Sequence, residues 1–287
     1  MSGVLDRAAT YGRMIRFSHS AFALPFALTS TALAARLSGI TAAQVLWIIV
    51  AMVAARSAAM GFNRLVDHEL DAKNPRTAGR ELPRGVLSRR EVWAFILVST
   101  AVFVLAAGML NPLCLALSPV ALAIVLGYSY TKRITAGSHL VLGLALAVAP
   151  VGAWLAVRGQ LDAVPIVLGL AVLFWVAGFD TIYACQDVAF DQGEDLHSIP
   201  ARVGVATALR VARGMHVLAA LLLASLYWLT PVHPVYLVGV AAVALLLAWE
   251  HTLVRPDDLS RVMFAFNING WVSGVYFAFT LAATWLA

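Results

Sequence analysis

Apolar stretches about as long as a bilayer is thick recur along the whole chain, and this repetition limits what it can fold into. A helix needs about 20 apolar residues to cross the hydrocarbon core. Nine such stretches lie between charged or Pro/Gly-rich breaks: 18–37, 42–62, 91–110, 112–130, 138–157, 163–184, 206–229, 234–254 and 261–286. Only 12% of the residues are charged, against roughly 25% in soluble proteins. The sequence therefore predicts an all-α polytopic membrane protein with nine transmembrane helices in one domain, residues 1–287. It disfavours a disordered, collagenous or soluble protein.

The basic residues lie almost entirely on one side of the predicted membrane. Seventeen of the 20 Lys and Arg residues belong to the N-terminus, to four loops or to the adjoining helix ends, the loops being 63–90, 131–137, 185–205 and 255–260. The positive-inside rule then predicts a cytoplasmic N-terminus. This asymmetry explains the net charge of +5 without a nucleic-acid partner. A cleavable signal peptide is not expected, because no small-residue cleavage site follows a short apolar core.

Eight of the 15 acidic residues fall in two short windows, each at the cytoplasmic end of a predicted span: Asp67, Glu69 and Asp71, then Asp180, Asp187, Asp191, Glu194 and Asp195. Within them the spacing is Asn63-x3-Asp67-x3-Asp71 and Tyr183-x3-Asp187-x3-Asp191-x3-Asp195. A step of four residues turns a helix by about 400°, so successive carboxylates stay near one face.

Like charges at this spacing repel each other, which indicates a bound cation. Carboxylate and amide oxygens suit Mg²⁺, which takes one or two carboxylates together with substrate phosphate oxygens. Two matched windows therefore predict two or more Mg²⁺ ions that bridge a diphosphate. The simpler alternative, solvated helix ends, explains one acidic pair better than two matched clusters.

Basic residues are interleaved with the acidic windows and fit an anion. Arginine presents a bidentate fork to phosphate, whereas lysine acts as a point charge. Lys73, Arg76 and Lys132 are the strongest candidates, because they lie beside the acidic windows or return to the same side. Arg89 and Arg90 are expected to be membrane anchors.

At these residues the chain resembles the UbiA superfamily of intramembrane prenyltransferases. Asn63, Asp67 and Asp71 match its Asn-x3-Asp-x3-Asp motif, and Asp187 and Asp191 match its Asp-x3-Asp motif. Asp195 continues the second motif. Lys132-Arg133, with Tyr128 or Tyr130, resembles its Tyr-x-x-Lys-Arg element.

The resemblance implies nine helices around a central cavity, Mg²⁺ as cofactor, a polyprenyl diphosphate donor and an aromatic acceptor. The metal ligands would be Asn63, Asp67, Asp71, Asp187, Asp191 and Asp195. The residues that bind substrate or stabilise the departing pyrophosphate would be Arg64, Lys73, Arg76, Tyr128, Lys132, Arg133 and Tyr183. Aromatic faces that could stabilise an allylic cation are those of Phe17, Phe22, Tyr128, Phe179 and Tyr183.

The acceptor is left open between two quinone precursors. Residues 180–187 resemble the branch that uses 4-hydroxybenzoate, whereas residues 196–202 resemble a group that prenylates a dihydroxynaphthoate on a menaquinone route. Either carboxylate could pair with Arg13, Arg16 or Arg133. His19 either faces the acceptor or anchors the interface, and Asp180 either acts on the acceptor hydroxyl or forms a helix-end hydrogen bond.

Other functions fit less well. A cation transporter would place its site near the bilayer midplane, without lysine and arginine beside it. A soluble terpene cyclase would not need nine apolar spans. Haem, chlorophyll and homogentisate prenyltransferases of the same superfamily stay as alternatives. The expected location is the bacterial inner membrane, with the active-site loops in the cytoplasm.

Overall fold

The computed structural model describes residues 2–15 and 22–287, and their regular structure is helical apart from one β-bridge between Arg255 and Asp258. The helices are α1 (Ser2–Met14), α2 (Leu24–Ser38), α3 (Ala42–Val66), α4 (His68–Lys73), α5 (Arg89–Leu110), α6 (Pro112–Thr131), α7 (Ser138–Arg158), α8 (Ala163–Ala184), α9 (Val188–Gly193), α10 (Ile199–Val203), α11 (Val205–Leu229), α12 (Val235–Leu253) and α13 (Val262–Leu286), with a 3₁₀ turn at Cys185–Asp187.

In the described part of the chain, eight helices are long and apolar enough to cross a membrane: α3, α5, α6, α7, α8, α11, α12 and α13. The first predicted span, 18–37, begins outside the described residues, and its described part is α2, a helix of 15 residues. The all-α membrane architecture predicted from the sequence is confirmed, with α2 in the place of the first predicted span.

Local sequence signals fix several helix ends. Thr41 and Gln44 form a capping box at the start of α3, and Ser88 and Glu91 form another at the start of α5. The side chain of Asn111 caps α6 by accepting a hydrogen bond from the Cys114 backbone N–H at 2.9 Å. These caps satisfy N–H groups that a helix start leaves without partners. Adjacent spans therefore separate sharply, even where one residue divides α5 from α6.

Exposed tryptophans mark both ends of the bundle. Trp228 and Trp285 lie near the C-terminal ends of α11 and α13 and are 75% and 90% exposed. Trp93 and Trp249 lie near the opposite end and are 45% and 46% exposed. Tryptophan is enriched at both membrane–water interfaces, so these residues outline the layer in which the bundle sits.

Two glycines allow close helix packing around α8. A Cβ at Gly143 would overlap the backbone carbonyl of Leu173, and one at Gly178 would overlap the ring of His216. Small residues at such contacts let membrane helices approach closely. The α7–α8 and α8–α11 contacts therefore depend on glycine.

The helices alternate in direction, so α3, α6, α8 and α12 finish at the end of the bundle where α5, α7, α11 and α13 begin. This end, here called the basic end, carries the loops 67–88, 132–137, 185–204 and 254–261. Both acidic windows lie on these loops or at the adjoining helix ends. The fold thus brings together segments about 120 residues apart in sequence.

Candidate active site

Asp67 is the centre of the first acidic window. It follows the last residue of α3, and its side chain is only 5% exposed. Its carboxylate accepts hydrogen bonds from Lys132 Nζ at 2.6 Å, Arg133 Nη2 at 2.9 Å and Asn63 Nδ2 at 3.1 Å. The first window is therefore joined to the end of α6, as the predicted roles of Lys132 and Arg133 require.

Asp71 lies in α4, and its side chain is 8% exposed. Nη1 of Arg80 donates to both of its carboxylate oxygens, at 2.6 and 2.7 Å. The Thr77 hydroxyl donates to the backbone carbonyl of Asp71 at 3.0 Å. These contacts fold the loop after α4 back over the first acidic window.

Arg76 joins the two acidic windows. Its Nε and Nη2 donate to the two carboxylate oxygens of Asp187 at 3.0 and 2.5 Å, and Nη1 donates to the Tyr183 hydroxyl at 2.7 Å. Burial alone lowers the pKa of Arg76, but the hydrogen bonds to Asp187 and the charges of nearby groups raise it overall. The guanidinium therefore stays charged at the point where the two windows meet.

Beyond Asp187, the residues of the second window make few contacts. The Ser198 hydroxyl donates to Asp191 at 2.7 Å. Lys73, mostly exposed, pairs with Glu194 at 2.6 Å. Asp195 is exposed, with a left-handed φ of 52°. Asp191 and Asp195 thus leave room for a ligand.

Both windows bend at their first aspartate, where a continuous helix was expected. Asp67 has φ −89° and ψ 6°, and Asp187 has φ −104° and ψ 5°. Each is followed by a helix of only six residues, α4 or α9. This is the sparsely populated bridge region, in which many active-site residues are found. The bend turns each second aspartate back over the helix bundle.

The aspartates Asp67, Asp71, Asp187 and Asp191, here called the four window aspartates, are paired with lysine, arginine or serine. Among the His, Cys, Asp and Glu residues that the structure describes, no three form a group that could hold a metal ion. The six-residue ligand set predicted from the motifs stays a prediction.

Tyr128, one of the two tyrosine candidates, points inward. It lines the main cavity and interacts electrostatically with Arg64, Asp67 and Arg56. Tyr130 is 47% exposed and packs on the ring of Phe62. Of the two candidates, Tyr128 is therefore the one that faces the cavity, and its role in this element stays a prediction.

Arg64 has a different setting from the other basic candidates. Its side chain is buried in α3, and its Nε donates to the backbone carbonyl of Met14 at 3.2 Å. This contact ties α1 to α3. A role of Arg64 in binding substrate stays a prediction.

A cavity of about 510 Å³ lies between α3, α5, α6, α7 and α8. Its walls are mostly alanine, leucine and valine. Among its described lining residues, Arg56 alone carries a charge. Ala59, also in the wall, lies one helical turn before Asn63, so the cavity extends from the first acidic window.

Sequence reasoning missed Arg56, which lies inside the predicted span 42–62. The signal was available, because an ionisable residue inside a membrane helix is expensive and marks a functional site by default. Reasoning from the motifs also missed Asn74, which donates to Asp187 at 3.3 Å, and Ser198.

Aromatic rings cluster beside the second window. Phe266 of α13 packs against Phe22, Phe179 and Tyr183, with ring centroids 5.1, 5.5 and 4.8 Å away. The structure brings together Phe22, Phe179 and Tyr183 of the predicted set and adds Phe266. Phe17 lies outside the described residues.

Two of the three predicted partners for an acceptor carboxylate lie in the described part of the chain and have other side-chain contacts there. Arg13 lies on α1 and donates to the Thr10 side chain, and Arg133 is paired with Asp67. Arg16 and His19 lie outside the described residues. Arg56 is the cation that lines the cavity.

Comparisons with known proteins show the family of the chain. The model of the UbiA prenyltransferase family matches residues 23–272. The 4-hydroxybenzoate octaprenyltransferase of Aeromonas hydrophila is 30% identical over 230 residues, 80% of each chain. The Tolumonas auensis protein of the same name is 31% identical over 231 residues, 78% of each chain.

Solved structures show the same fold. A UbiA homologue from Aeropyrum pernix superposes with a TM-score of 0.85 at 33% identity, over 92% of this chain and 98% of that one. An Archaeoglobus fulgidus homologue bound to DMAPP and Mg²⁺ has a TM-score of 0.76 at 19% identity, over 97% of this chain and 100% of that one. By its sequence, its helices and its paired acidic windows, this integral membrane protein belongs to the UbiA prenyltransferase family.

Proposed function

We propose that this protein transfers a polyprenyl group from its diphosphate to the ring of 4-hydroxybenzoate, with Mg²⁺ as cofactor. The observation that carries the proposal is the junction of the two acidic windows by Arg76, above an apolar cavity lined by Arg56. The relatives named 4-hydroxybenzoate octaprenyltransferase favour this acceptor over a naphthoate.

The four window aspartates fit magnesium by their chemistry. Mg²⁺ prefers oxygen ligands and takes only one or two carboxylates when substrate phosphates complete its shell. A preformed group of three carboxylates is therefore not needed. Asp67, Asp71, Asp187 and Asp191 would hold the ions, with Asn63 and Asp195 as further oxygen donors. When bound, Mg²⁺ supplies positive charge for the diphosphate.

Basic side chains around the windows would stabilise the departing diphosphate. Arg76 offers a planar fork, whereas Lys73 and Lys132 offer point charges. Donors fixed where negative charge develops lower the barrier, because they need no reorganisation during the reaction. In the absence of substrate the same side chains pair with carboxylates, which keeps the site neutralised.

The cavity and the aromatic cluster would protect the cationic prenyl group. Apolar walls exclude water, which would otherwise capture the allylic cation. The faces of Tyr183 and Phe179 carry partial negative charge and stabilise a nearby cation. Arg56 would pair with the acceptor carboxylate, which places the phenol ring within the cavity.

A competition assay tests the proposal. Purified protein in detergent is given Mg²⁺, farnesyl diphosphate, 4-hydroxybenzoate and 1,4-dihydroxy-6-naphthoate, and the products are resolved by mass. The expected main product is prenylated 4-hydroxybenzoate. Prenylated naphthoate alone would move the acceptor to the menaquinone route. Transfer to neither acceptor would refute the proposed function.

A further inference from the structure

Asp180, the first acidic residue of the second window, forms a hydrogen-bonded pair with His139, and the roles proposed above do not use either residue. Asp180 lies in the last turns of α8, and His139 is the second residue of α7. His139 Nδ1 lies 2.7 Å from Asp180 Oδ2, and the histidine side chain is only 4% exposed. A buried pair that joins two membrane helices is a candidate functional site.

The backbone fixes which nitrogen of His139 carries the proton. The N–H of Ile199 donates to His139 Nε2 at 3.2 Å, so that nitrogen presents a lone pair. The proton of the neutral ring is then on Nδ1, which donates to Asp180. The segment after α9 thus orients the imidazole, and the imidazole orients the carboxylate.

Asp180 keeps one side open. Its side chain is 24% exposed, and in the described part of the chain His139 is its one hydrogen-bond partner. On α8 it precedes Tyr183 by three residues, a spacing that keeps these two side chains near one helix face, and Asp187 follows in the 3₁₀ turn after α8. Tyr183 and Asp187 both contact Arg76. The open side of Asp180 therefore belongs to the face that carries the second window.

His139 is also close to this window. It interacts electrostatically with Asp191, the residue that accepts a hydrogen bond from Ser198. Ser198 immediately precedes Ile199, whose N–H holds His139. The pair and the second window are thus connected through the segment 198–199.

We propose that Asp180 is the base that accepts the phenolic proton of the acceptor, and that His139 is its positioning residue. This inference rests on the proposed function, because a phenol attacks an allylic carbon far more readily as its phenolate. A carboxylate held by one oxygen and open at the other is suited to that task, since a general base must reach the proton directly.

The step balances within the groups named. The phenolic proton moves to Asp180, the ring carbon beside the oxygen forms a bond to the prenyl C1, and the C1–O bond breaks with its electron pair on the diphosphate. The ring carbon then loses its hydrogen as a proton to the diphosphate, which restores the aromatic ring. The product oxygen takes its proton back from Asp180.

Acceptors of different acidity test the base. Asp180→Asn keeps the size of the side chain and can still bond to His139, but it cannot take the proton. General-base loss commonly costs about 10²–10⁴-fold, so we expect kcat with 4-hydroxybenzoate to fall about 100-fold or more. The exposed Asp257→Asn serves as the matched control and should leave kcat unchanged.

With 3-fluoro-4-hydroxybenzoate, Asp180→Asn should regain part of its lost kcat, because the more acidic phenol of this acceptor depends less on a base. Fluorine alters ring reactivity equally in both enzymes, so the ratio of wild-type to variant kcat isolates the role of the base. That ratio should shrink about tenfold with the fluorinated acceptor. An equal ratio for both acceptors, or no loss at all, would overturn the inference. Absence of wild-type transfer to any phenolic acid would instead refute the proposed function.

Two substitutions of His139 separate positioning from packing, and they keep the test usable if Asp180→Asn fails to fold. In His139→Asn the amide nitrogen lies near the position of Nδ1 and can donate to Asp180. In His139→Gln the amide group lies near Nε2 and can accept from Ile199. We expect the kcat of His139→Asn to be several-fold higher than that of His139→Gln, with a similar KM for the diphosphate in both variants. Equal kcat in the two variants would contradict a positioning role.

Discussion

Arg76 shows how single side chains join the two halves of this site. Its three nitrogens contact Asp187 and Tyr183, and its guanidinium carbon lies 5.1 Å from the centre of the Tyr183 ring. A planar fork can hold a carboxylate now and a diphosphate when substrate binds. The same residue therefore orders the loop after α4 and, in the proposed function, would present charge to the substrate.

Arg76→Lys should impair the enzyme although it keeps the charge. Lysine loses the bidentate contact, and a charged hydrogen bond contributes about 1.5–3 kcal/mol. We expect kcat/KM for the prenyl diphosphate to fall about 10–100-fold, measured under saturating 4-hydroxybenzoate. Arg84→Lys, an exposed arginine of the same loop, is the control and should behave like the wild type. Equal activity of both variants would show that charge alone suffices at position 76.

Asp191 tests the metal assignment, because its side chain is partly exposed and a metal ion could take the place of its hydrogen bond from Ser198. Asp191→Ala should abolish transfer, since removal of an oxygen ligand takes away stabilisation of the leaving diphosphate. EDTA should stop the wild type in the same assay, and excess Mg²⁺ should restore it. Thermal unfolding in detergent shows whether the variant is folded. Wild-type turnover that persists with EDTA would contradict the metal requirement.

For single residues, the sequence predicts which side chains belong to the candidate site better than it predicts which of them pair with each other. The motif spacing identified Asp67, Asp71, Asp187 and Asp191, because a repeated four-residue step is visible along the chain. That Arg76 pairs with Asp187, 111 residues away, depends on how the whole bundle brings the loop after α4 to the end of α8. Such pairing leaves no periodic trace in a single sequence.

Among the helices, the spans were predictable and the short elements were not. The stretch 163–184 coincides with α8, and 112–130 differs from α6 by one residue. Their ends are set by a charge, a proline or a capping side chain, all visible in sequence. The six-residue helices α4 and α9 are too short to be stable alone and form only where tertiary contacts hold them, so hydropathy could not reveal them.

The α7–α8 contact can be tested with two glycines of the same helix. At Gly143 a Cβ would overlap the Leu173 backbone, which cannot move aside as a side chain can. Overpacking commonly costs about 1–3 kcal/mol, so Gly143→Ala should lower the unfolding temperature in detergent. At Gly152 a Cβ would meet nothing within 4 Å. Gly152→Ala should therefore be neutral or slightly stabilising, and equal destabilisation by both substitutions would mean that α7 and α8 are not in close contact.

For the whole molecule, the basic end carries both the charges that orient the protein and those proposed to bind substrate. The positive-inside rule concerns the lysines and arginines near helix ends, whereas the acidic windows pair with some of these same residues. Which apolar faces meet lipid and which meet the cavity was not readable from sequence, because both are built from alanine, leucine and valine. The tryptophans at the two ends now mark the lipid-facing surface.

The positive-inside rule predicts a cytoplasmic basic end, and two cysteine probes can measure this orientation. After the native Cys114 and Cys185 are replaced by serine, Asp257→Cys probes the basic end and Gln160→Cys probes the opposite end; both positions are exposed. A membrane-impermeant maleimide should label position 257 in inverted vesicles and position 160 in right-side-out ones. Prenyl transfer by each probe variant confirms that it is folded. The reverse pattern would place the acidic windows outside the cytoplasm and would require the diphosphate to be supplied from that side.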